Sequence, residues 1–270
     1  MNTNATKGTA VVTGASSGIG KVYARRLASR GHDLVLVARN KARLEELAGE
    51  LVRETGRKVE VLPADLGNPA DVARLVARVT DDAAISLLVN NAGVGTEGPV
   101  LGAEAARIDA MVQVNVVALS QLSVAAVNAF AARGGGTLIN IASVVALMPE
   151  NLLGAYSATK AYVLNLTQSL QNEFKDRPEL RIQAVLPGLT RTEFFENSGL
   201  DFSHLPAEVF MAVDELVDGA LAGLDLGEAI TIPSLPDAGE WDGLAAARMA
   251  LWPRLSLAHP AARYGLAVPA

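Results

Sequence analysis

The stretch Thr13-Gly14-Ala15-Ser16-Ser17-Gly18-Ile19-Gly20 is the strongest indication of the fold, because it follows an apolar run, Thr9 to Val12, and precedes a helical pattern that ends near Arg30. This order predicts a strand, a glycine-rich turn and a helix start. Glycines allow a tight turn and the close approach of a phosphate, and a helix N-terminus offers free N–H groups at the positive end of its dipole. Compared with the pattern G-x-G-x-x-G, one extra residue separates the first two glycines. Such a turn alone could be only a tight connection, but between a first strand and a helix it predicts a pyrophosphate site.

Apolar, strand-like segments alternate with helix-length segments along the chain. The predicted strands are residues 9–12, 33–38, 59–62, 86–90, 137–141, 181–186 and 229–232. The predicted helices are residues 21–30, 40–56, 69–82, 103–133 and 155–176. Continuous apolar strands that alternate with helices are typical of a parallel sheet covered on both faces. We therefore predict an α/β, Rossmann-type, doubly wound parallel sheet of about seven strands.

Ligands of such folds bind beyond the carboxyl ends of the strands. The candidate binding residues collect there, since each of the following comes within three residues of the end of a predicted strand: Gly14, Arg39, Asp65, Asn91, Ser143 and Pro187. The sequence thus predicts one site at this edge of the sheet.

Composition narrows the function classes. The 270 residues are 50% hydrophobic and 19% charged, with a net charge of −6 and no basic cluster of more than a few residues, so neither nucleic acid nor an anionic membrane is expected as a partner. There is no cysteine, and the three histidines are far apart, so we expect no metal site. Residues 1–8 lack an apolar signal core, and we expect no uncharged apolar stretch long enough to span a bilayer, so the sequence predicts a cytoplasmic enzyme. We expect a single domain over residues 1–270, with a substrate lid at 193–228 and a C-terminal appendage at 236–270.

Tyr156 and Lys160 lie four residues apart in Tyr156-Ser157-Ala158-Thr159-Lys160. On a helix this spacing puts both side chains on one face, about one turn apart. The pKa of a free tyrosine is near ~10. A neighbouring ammonium favours the phenolate and lowers this pKa toward the range that suits general acid–base catalysis. Two solvated or half-buried side chains would have the same spacing, so the interpretation depends on the rest of the chain.

Combined with Asn90-Asn91-Ala92-Gly93, Asn115, Ser143 and Pro187-Gly188, these motifs resemble the short-chain dehydrogenase/reductase family. The resemblance runs from about Thr9 to about Thr192, in the family's order and spacing. It implies hydride transfer between a nicotinamide cofactor and a carbonyl or carbinol carbon. The implied catalytic residues are Asn115, Ser143, Tyr156 and Lys160.

The resemblance also implies a role for each of these residues. Tyr156 would exchange a proton with the substrate oxygen, while Lys160 would lower the Tyr156 pKa and hold the nicotinamide ribose. Ser143 would hydrogen-bond the substrate oxygen, although a serine after a strand is also a common N-cap. Asn115 would carry a water relay to the lysine, and asparagine is otherwise a poor residue for a helix interior.

The end of the second strand bears on the choice of cofactor. Ala38 occupies the place where NAD-preferring relatives carry an aspartate, and the guanidinium of Arg39 can hold a phosphate through two parallel hydrogen bonds. We expect NADP (NADPH), although Arg39 could be an ordinary surface arginine and Ser17 stands where many NADP-preferring relatives carry a basic residue. The implied cofactor-binding residues are Gly14, Ser16, Ser17, Gly18, Ile19, Gly20, Arg39, Asp65, Leu66, Asn91, Tyr156, Lys160 and Thr192.

The expected substrate is a hydrophobic ketone, aldehyde or secondary alcohol, because the candidate pocket residues are apolar. They are Val94, Val145, Met148, Leu152, Leu153, Phe194, Phe195 and Phe202. These side chains could equally close the core. In this family, helices such as 103–133 and 155–176 form a dimer face, so we expect a homo-oligomer, either a dimer or a tetramer. The alternative from another class is an NADP-binding regulatory or scaffold protein with little turnover, against which the intact catalytic set speaks.

Overall fold

The computed structural model describes residues 7–95, 102–150, 154–193 and 205–266. The chain divides into two compact units, Met1–Pro233 and Ser234–Ala270. The first unit contains the sheet and the predicted site. The second contains one helix and two short 3-10 turns, and within its described residues no side chain is buried.

Seven parallel strands form one sheet, in the order β3-β2-β1-β4-β5-β6-β7. The strands are β1 (Thr9–Thr13), β2 (Asp33–Ala38), β3 (Val59–Pro63), β4 (Ile85–Asn90), β5 (Gly136–Ile141), β6 (Leu180–Val185) and β7 (Ile230–Thr231). The order reverses between β1 and β4, which opens a crevice at the carboxyl edge where such folds bind ligands. The predicted doubly wound sheet is confirmed.

Helices cover the sheet on both faces. They are α1 (Gly18–Ser29), α2 (Lys41–Thr55), α3 (Pro69–Asp81), α4 (Ala105–Val112), α5 (Leu119–Arg133), α6 (Gly154–Glu173) and α7 (Val213–Leu226), followed in the second unit by α8 (Ala238–Met249). Local chemistry sets their ends. Asn40 and Asn68 cap α2 and α3 through their side chains, and Gly56 ends α2 in the left-handed conformation.

Strand side chains alternate between two buried cores. Val12 and Leu36 point to the core beneath α1, α2 and α7, whereas Val11 and Val35 point to the core beneath α3 and α5. Successive strand residues face opposite sides of a sheet, so a strand buried on both faces must be apolar at every position. This explains the unbroken apolar runs in the sequence.

Two expectations about the helices need correction. The predicted helix 103–133 is helical from residue 105, but residues Gln113–Ala118 form a π-helix between α4 and α5. Residues 213–226 of the predicted lid form α7, whose Val217 and Leu221 are fully buried in the core. This part of the segment therefore belongs to the body of the fold, because its apolar stripe packs against the protein interior.

The expectation that no stretch is long enough to cross a membrane is wrong by length and composition. The helix from Ala105 to Arg133 has a mean hydropathy of 1.7 over its most apolar 18 residues, of which 44% are buried inside the protein. Its Leu122, Ala126 and Phe130 face the core under the sheet. A core helix of a soluble protein passes the same test, so this finding is weak support for a span.

Candidate active site

A cavity of about 590 Å³ opens at the carboxyl edge of the sheet. Its wall includes most of the predicted site residues: Gly14, Ser16, Ser17, Gly18, Ile19, Arg39, Asp65, Leu66, Asn91, Ser143, Tyr156, Lys160 and Thr192. The loops after six different strands, β1 to β6, deliver most of them. The topology therefore brings together residues that are up to 178 positions apart in the sequence, from Gly14 to Thr192.

The glycine-rich turn is shaped by close contacts that exclude side chains. Gly14 has a φ of +67°, and a Cβ there would lie 2.7 Å from the Asn91 amide nitrogen. That amide nitrogen, Nδ2, donates to the carbonyls of Thr13 and Gly14 at 2.9 and 3.3 Å. Asn91 thus ties the end of β4 to the turn, which is the structural role left open for it in the sequence.

Gly20 does not line the cavity, contrary to the expectation that it binds the cofactor. A Cβ at Gly20 would lie 2.3 Å from the Gly14 carbonyl oxygen and 2.5 Å from Asn91 Nδ2. Its function is therefore close packing of α1 against the turn, since any side chain would push the two apart.

The N-terminus of α1 faces the cavity, and no acidic side chain in its first turn balances the positive end of the helix dipole. Ser17 is the N-cap residue but forms no capping hydrogen bond with its side chain within the described residues, and the first turn of α1 carries no acidic residue. The first N–H groups of a helix have no intrahelical partner and favour negative charge. Together with the glycine turn, this arrangement fits a pyrophosphate group.

Lys160 and Tyr156 lie one turn apart on α6, as the spacing predicts. Lys160 is only 5% exposed, and its Nζ donates to the Ile141 carbonyl at 2.8 Å, which fixes it at the end of β5. The Nζ lies 5.8 Å from the centre of the Tyr156 ring. Both side chains line the cavity, and Tyr156 is half-buried.

Ser143 combines the two roles considered for it. Its Oγ donates to the Pro187 carbonyl and accepts from the Val145 N–H, both at 3.3 Å, so it caps the 3-10 turn Val144–Ala146. The same side chain lines the cavity with Tyr156. These long hydrogen bonds leave the hydroxyl able to exchange partners with a substrate oxygen.

The comparisons agree with this geometry. The profile of the family described as short chain dehydrogenase matches residues 8–201. This chain belongs to the short-chain dehydrogenase/reductase family. Family members are oxidoreductases that bind nicotinamide cofactors and act on CH–OH groups of small molecules.

Two solved members resemble it over nearly their whole length. A short-chain dehydrogenase from Sphingobium yanoikuyae in complex with NADPH is 46% identical, with a TM-score of 0.91 over 95% of this chain and 100% of that one. The bulky-bulky ketone specific alcohol dehydrogenase from Comamonas testosteroni is 43% identical, with a TM-score of 0.88 over 96% and 99%. Among curated proteins, the very-long-chain 3-oxoacyl-CoA reductase of Anas platyrhynchos is 31% identical over 206 residues, which cover 75% of this chain. The match spans 66% of that relative's length.

In this short-chain dehydrogenase/reductase, the pKa of Tyr156 moves in the direction opposite to the sequence expectation. Burial raises the pKa of the phenol above its ordinary value. The same burial lowers the pKa of Lys160 to about 8. The two shifts have the same cause, because the Tyr156 phenolate and the Lys160 ammonium would both lose their hydrating water in the crevice. The Lys160 ammonium lies 5.8 Å from the centre of the Tyr156 ring and does not offset that loss for the phenolate.

Asn115 lies behind the cavity wall instead of in it. Its side-chain oxygen accepts from the Val94 N–H at 2.9 Å, and its Nδ2 donates to the Val94 carbonyl at 2.8 Å and to Thr159 Oγ1 at 3.1 Å. A Cβ at Gly93 would lie 3.4 Å from the Asn115 oxygen and 3.6 Å from Lys160 Nζ. Asn115 therefore holds the loop after β4 and the helix α6 around the lysine.

At the other end of the cavity, Asp65 and Arg39 follow β3 and β2. The Asp65 Oδ1 accepts from the Gly67 N–H at 2.9 Å, which shapes the loop, whereas Asn68 caps α3. Within the described part of the chain Arg39 forms no ion pair, so its exposed guanidinium is available to an anion in the cavity.

Sequence reasoning missed two charged residues of the cavity wall. Arg43 and Glu193 line it and form an ion pair, with 2.9 Å between Arg43 Nη1 and Glu193 Oε2. The position of Arg43 was readable, because it lies four residues after Arg39 at the start of a predicted helix. Nothing in the sequence relates Glu193 to Arg43, which is 150 positions away.

The candidate substrate residues are only partly described. Val94 lines the cavity and Val145 is buried, whereas Met148 is 48% exposed and is not part of the cavity wall. Leu152, Leu153, Phe194, Phe195 and Phe202 lie outside the described residues. Over the described ranges, no group of three or more metal-binding side chains occurs.

Proposed function

We propose that this chain is an NADP(H)-dependent oxidoreductase that interconverts a ketone or aldehyde and an alcohol, with Tyr156 as the general acid and base. One observation carries the proposal. The side chains of Ser143, Tyr156 and Lys160 line the same cavity as the glycine turn and Arg39. A group that handles protons thus shares a crevice with groups suited to a dinucleotide, which is the arrangement that hydride transfer with proton transfer requires.

The residues present fit an NADP molecule. The bound nicotinamide would supply or accept the hydride. The turn Gly14–Gly18 and the N-terminus of α1 would hold the pyrophosphate, and Asp65 with Leu66 would line the adenine end. Ala38 leaves out the carboxylate that would repel a 2′-phosphate, and Arg39 supplies a planar cation for it. NADPH is also bound by the relative from Sphingobium yanoikuyae.

The pKa values favour reduction of a carbonyl compound. Because burial raises the pKa of Tyr156, the phenol keeps its proton at neutral pH and can donate it to the developing alkoxide. Lys160, with a pKa of about 8, is mostly an ammonium at neutral pH and would stabilise the phenolate left behind. Ser143 would hold the substrate oxygen through its hydroxyl.

We propose a bulky apolar carbonyl compound as substrate. Val94 is apolar and lies in the cavity wall, and a relative that is 43% identical over 96% of this chain is described as specific for bulky-bulky ketones. We further propose a cytoplasmic homo-oligomer that uses the α4–α6 face. In support, Val112, Val124 and Tyr162 on this face are between 36% and 46% exposed. Exposure of apolar surface to water is unfavourable, and a partner subunit would cover that surface.

The test is NADPH consumption over a series of ketones from acetone to aryl-alkyl and diaryl ketones. We expect kcat/KM to rise with the apolar bulk of the ketone. Each added methylene should lower the activation free energy by at most ~1–3 kcal/mol. Tyr156→Phe should reduce turnover by ~10²–10⁴ while NADPH still binds, because the proposed proton donor is then missing from the site. Short charged carbonyl compounds as best substrates would contradict the substrate class. Turnover of Tyr156→Phe above about a tenth of wild type would contradict the role of the tyrosine. If NADPH binds but no ketone is reduced, the result would favour the alternative, a regulatory or scaffold protein.

A further inference from the structure

The N-terminus of α2 carries an unusual concentration of positive charge. Arg39 precedes the cap residue Asn40, and Lys41 and Arg43 lie in the first turn, which contains no acidic residue. Cations are unfavourable at this end of a helix, because the macrodipole is positive there. Such a local conflict is expected where a functional anion balances it.

Arg43 is held at this position by its own backbone and paired by a distant carboxylate. Its N–H donates to the Asn40 side chain at 3.1 Å, which fixes the first turn. Its Nη1 lies 2.9 Å from an oxygen of Glu193, the residue after Thr192. Both side chains are about half exposed, at 51% and 50%, so the pair is in contact with solvent and can exchange partners.

The described cavity wall contains few carboxylates. Only Asp65 and Glu193 are acidic, and the Oδ1 of Asp65 accepts from the Gly67 N–H. Glu193 is therefore the carboxylate that meets the basic cluster. A 2′-phosphate carries up to two negative charges and three acceptor oxygens, as a phosphate ester does, and would compete for the same guanidinium.

We propose that Arg43 is a second phosphate-binding residue beside Arg39. The Glu193 carboxylate forms an ion pair with the Arg43 guanidinium until the 2′-phosphate of NADP displaces that carboxylate. In this exchange one ion pair is broken and another is formed, with no covalent change. Because NAD lacks the phosphate, it leaves the Arg43–Glu193 pair in place. The inference rests on the proposed use of NADP and adds the residues that set its preference over NAD.

The experiment measures dissociation constants of NADPH and NADH by titration calorimetry for the full chain and four variants. The variants are Arg43→Gln, Glu193→Gln, the double variant and Lys41→Gln. Lys41 is the matched control: it lies in the same helical turn and carries the same charge, but it pairs with Glu45 at 3.4 Å and does not line the cavity.

We expect Arg43→Gln to weaken NADPH by ~10-fold or more, as for loss of a charged hydrogen bond, and to leave NADH nearly unchanged. Glu193→Gln should strengthen NADPH by ~3-fold, since a competing surface ion pair is worth little. In the Arg43→Gln background, Glu193→Gln should have no further effect. Lys41→Gln should change NADPH binding by less than ~2-fold, consistent with a screened charge.

An unchanged ratio of NADPH to NADH affinity in Arg43→Gln would overturn the inference, as would an equal loss in Lys41→Gln. A loss or no change of NADPH affinity in Glu193→Gln would overturn the exchange, and so would a gain that persists without Arg43. The NADPH and NADH affinities of the unmodified chain distinguish a failure of this inference from a failure of the proposed cofactor. If it prefers NADPH and the variants fail, only this inference is wrong, whereas a preference for NADH in the unmodified chain refutes the proposed cofactor first.

Discussion

At the scale of single residues, Lys160 is the one charged side chain that is buried among the residues the structure describes. It is 5% exposed, and its ammonium donates to a single described carbonyl, that of Ile141. Burial lowers its pKa from 10.5 to about 8. The residue is therefore kept at a cost to folding, which is expected when a charged group serves a site.

This cost makes a prediction about stability and pH. Between pH 8 and 10.5 the unfolded chain still holds the Lys160 proton while the folded chain has lost it, so raising the pH favours the folded state. At about 1.4 kcal/mol per pKa unit, the difference in unfolding free energy between Lys160→Met and wild type should fall by up to ~3 kcal/mol over this range. Urea denaturation at several pH values measures it.

The exposed lysine of the same chain region, Lys175, gives the control. Lys175→Met should differ from wild type by a constant amount across the same pH range. A constant difference for Lys160→Met as well would mean that the Lys160 ammonium is solvated in the folded protein.

At the scale of elements, the π-helix Gln113–Ala118 is the feature closest to the site. Insertion of a π turn changes the direction of side chains relative to a regular α-helix, and such turns are frequent at functional sites. Here the turn carries Asn115, whose three hydrogen bonds reach the loop after β4 and the helix α6. A single side chain thus joins three elements around Lys160.

We expect Asn115→Ala to lower both stability and turnover. Removal of the side chain takes away its two hydrogen bonds with the Val94 N–H and carbonyl and the one that Thr159 Oγ1 accepts, although the Thr159 hydroxyl still donates to the Tyr156 carbonyl. The loss should reduce the unfolding free energy by ~2–4 kcal/mol. Denaturant unfolding and NADPH consumption measure the two effects. Asn165→Ala, at an exposed position of α6, should change stability by no more than ~0.5 kcal/mol. Wild-type stability in Asn115→Ala would show that the described hydrogen bonds are not needed to hold the three elements together.

At the scale of the whole molecule, the crevice at the reversal of strand order connects the two halves of the sheet. Its wall draws on the loops after β1, β2 and β3 on one side and after β4, β5 and β6 on the other. A ligand that bridges these loops binds only the folded chain, so it must stabilise the whole fold by mass action.

We therefore expect NADPH at 100 times its dissociation constant to raise the unfolding free energy by about 2.7 kcal/mol. For a chain of this size the melting temperature should rise by ~5 °C or more. Arg39→Ala should lose most of this shift at the same NADPH concentration, whereas the shift with NADH should stay the same. Thermal melts with each nucleotide measure the shift, and equal shifts with NADPH and NADH for wild type would argue against the proposed preference for NADPH.

The strand pattern, the glycine turn and the position of Tyr156 and Lys160 on one helical face could all be predicted from the amino-acid sequence. These features depend on side-chain periodicity, backbone sterics and spacings of a few residues, all of which can be recognised within a short segment of sequence. The direction of the Tyr156 pKa shift, the position of Asn115 behind the cavity wall and the pairing of Arg43 with Glu193 could be found only in the folded protein. Burial and contacts between distant residues exist only once the strands are ordered and the helices packed, so no local pattern could contain them.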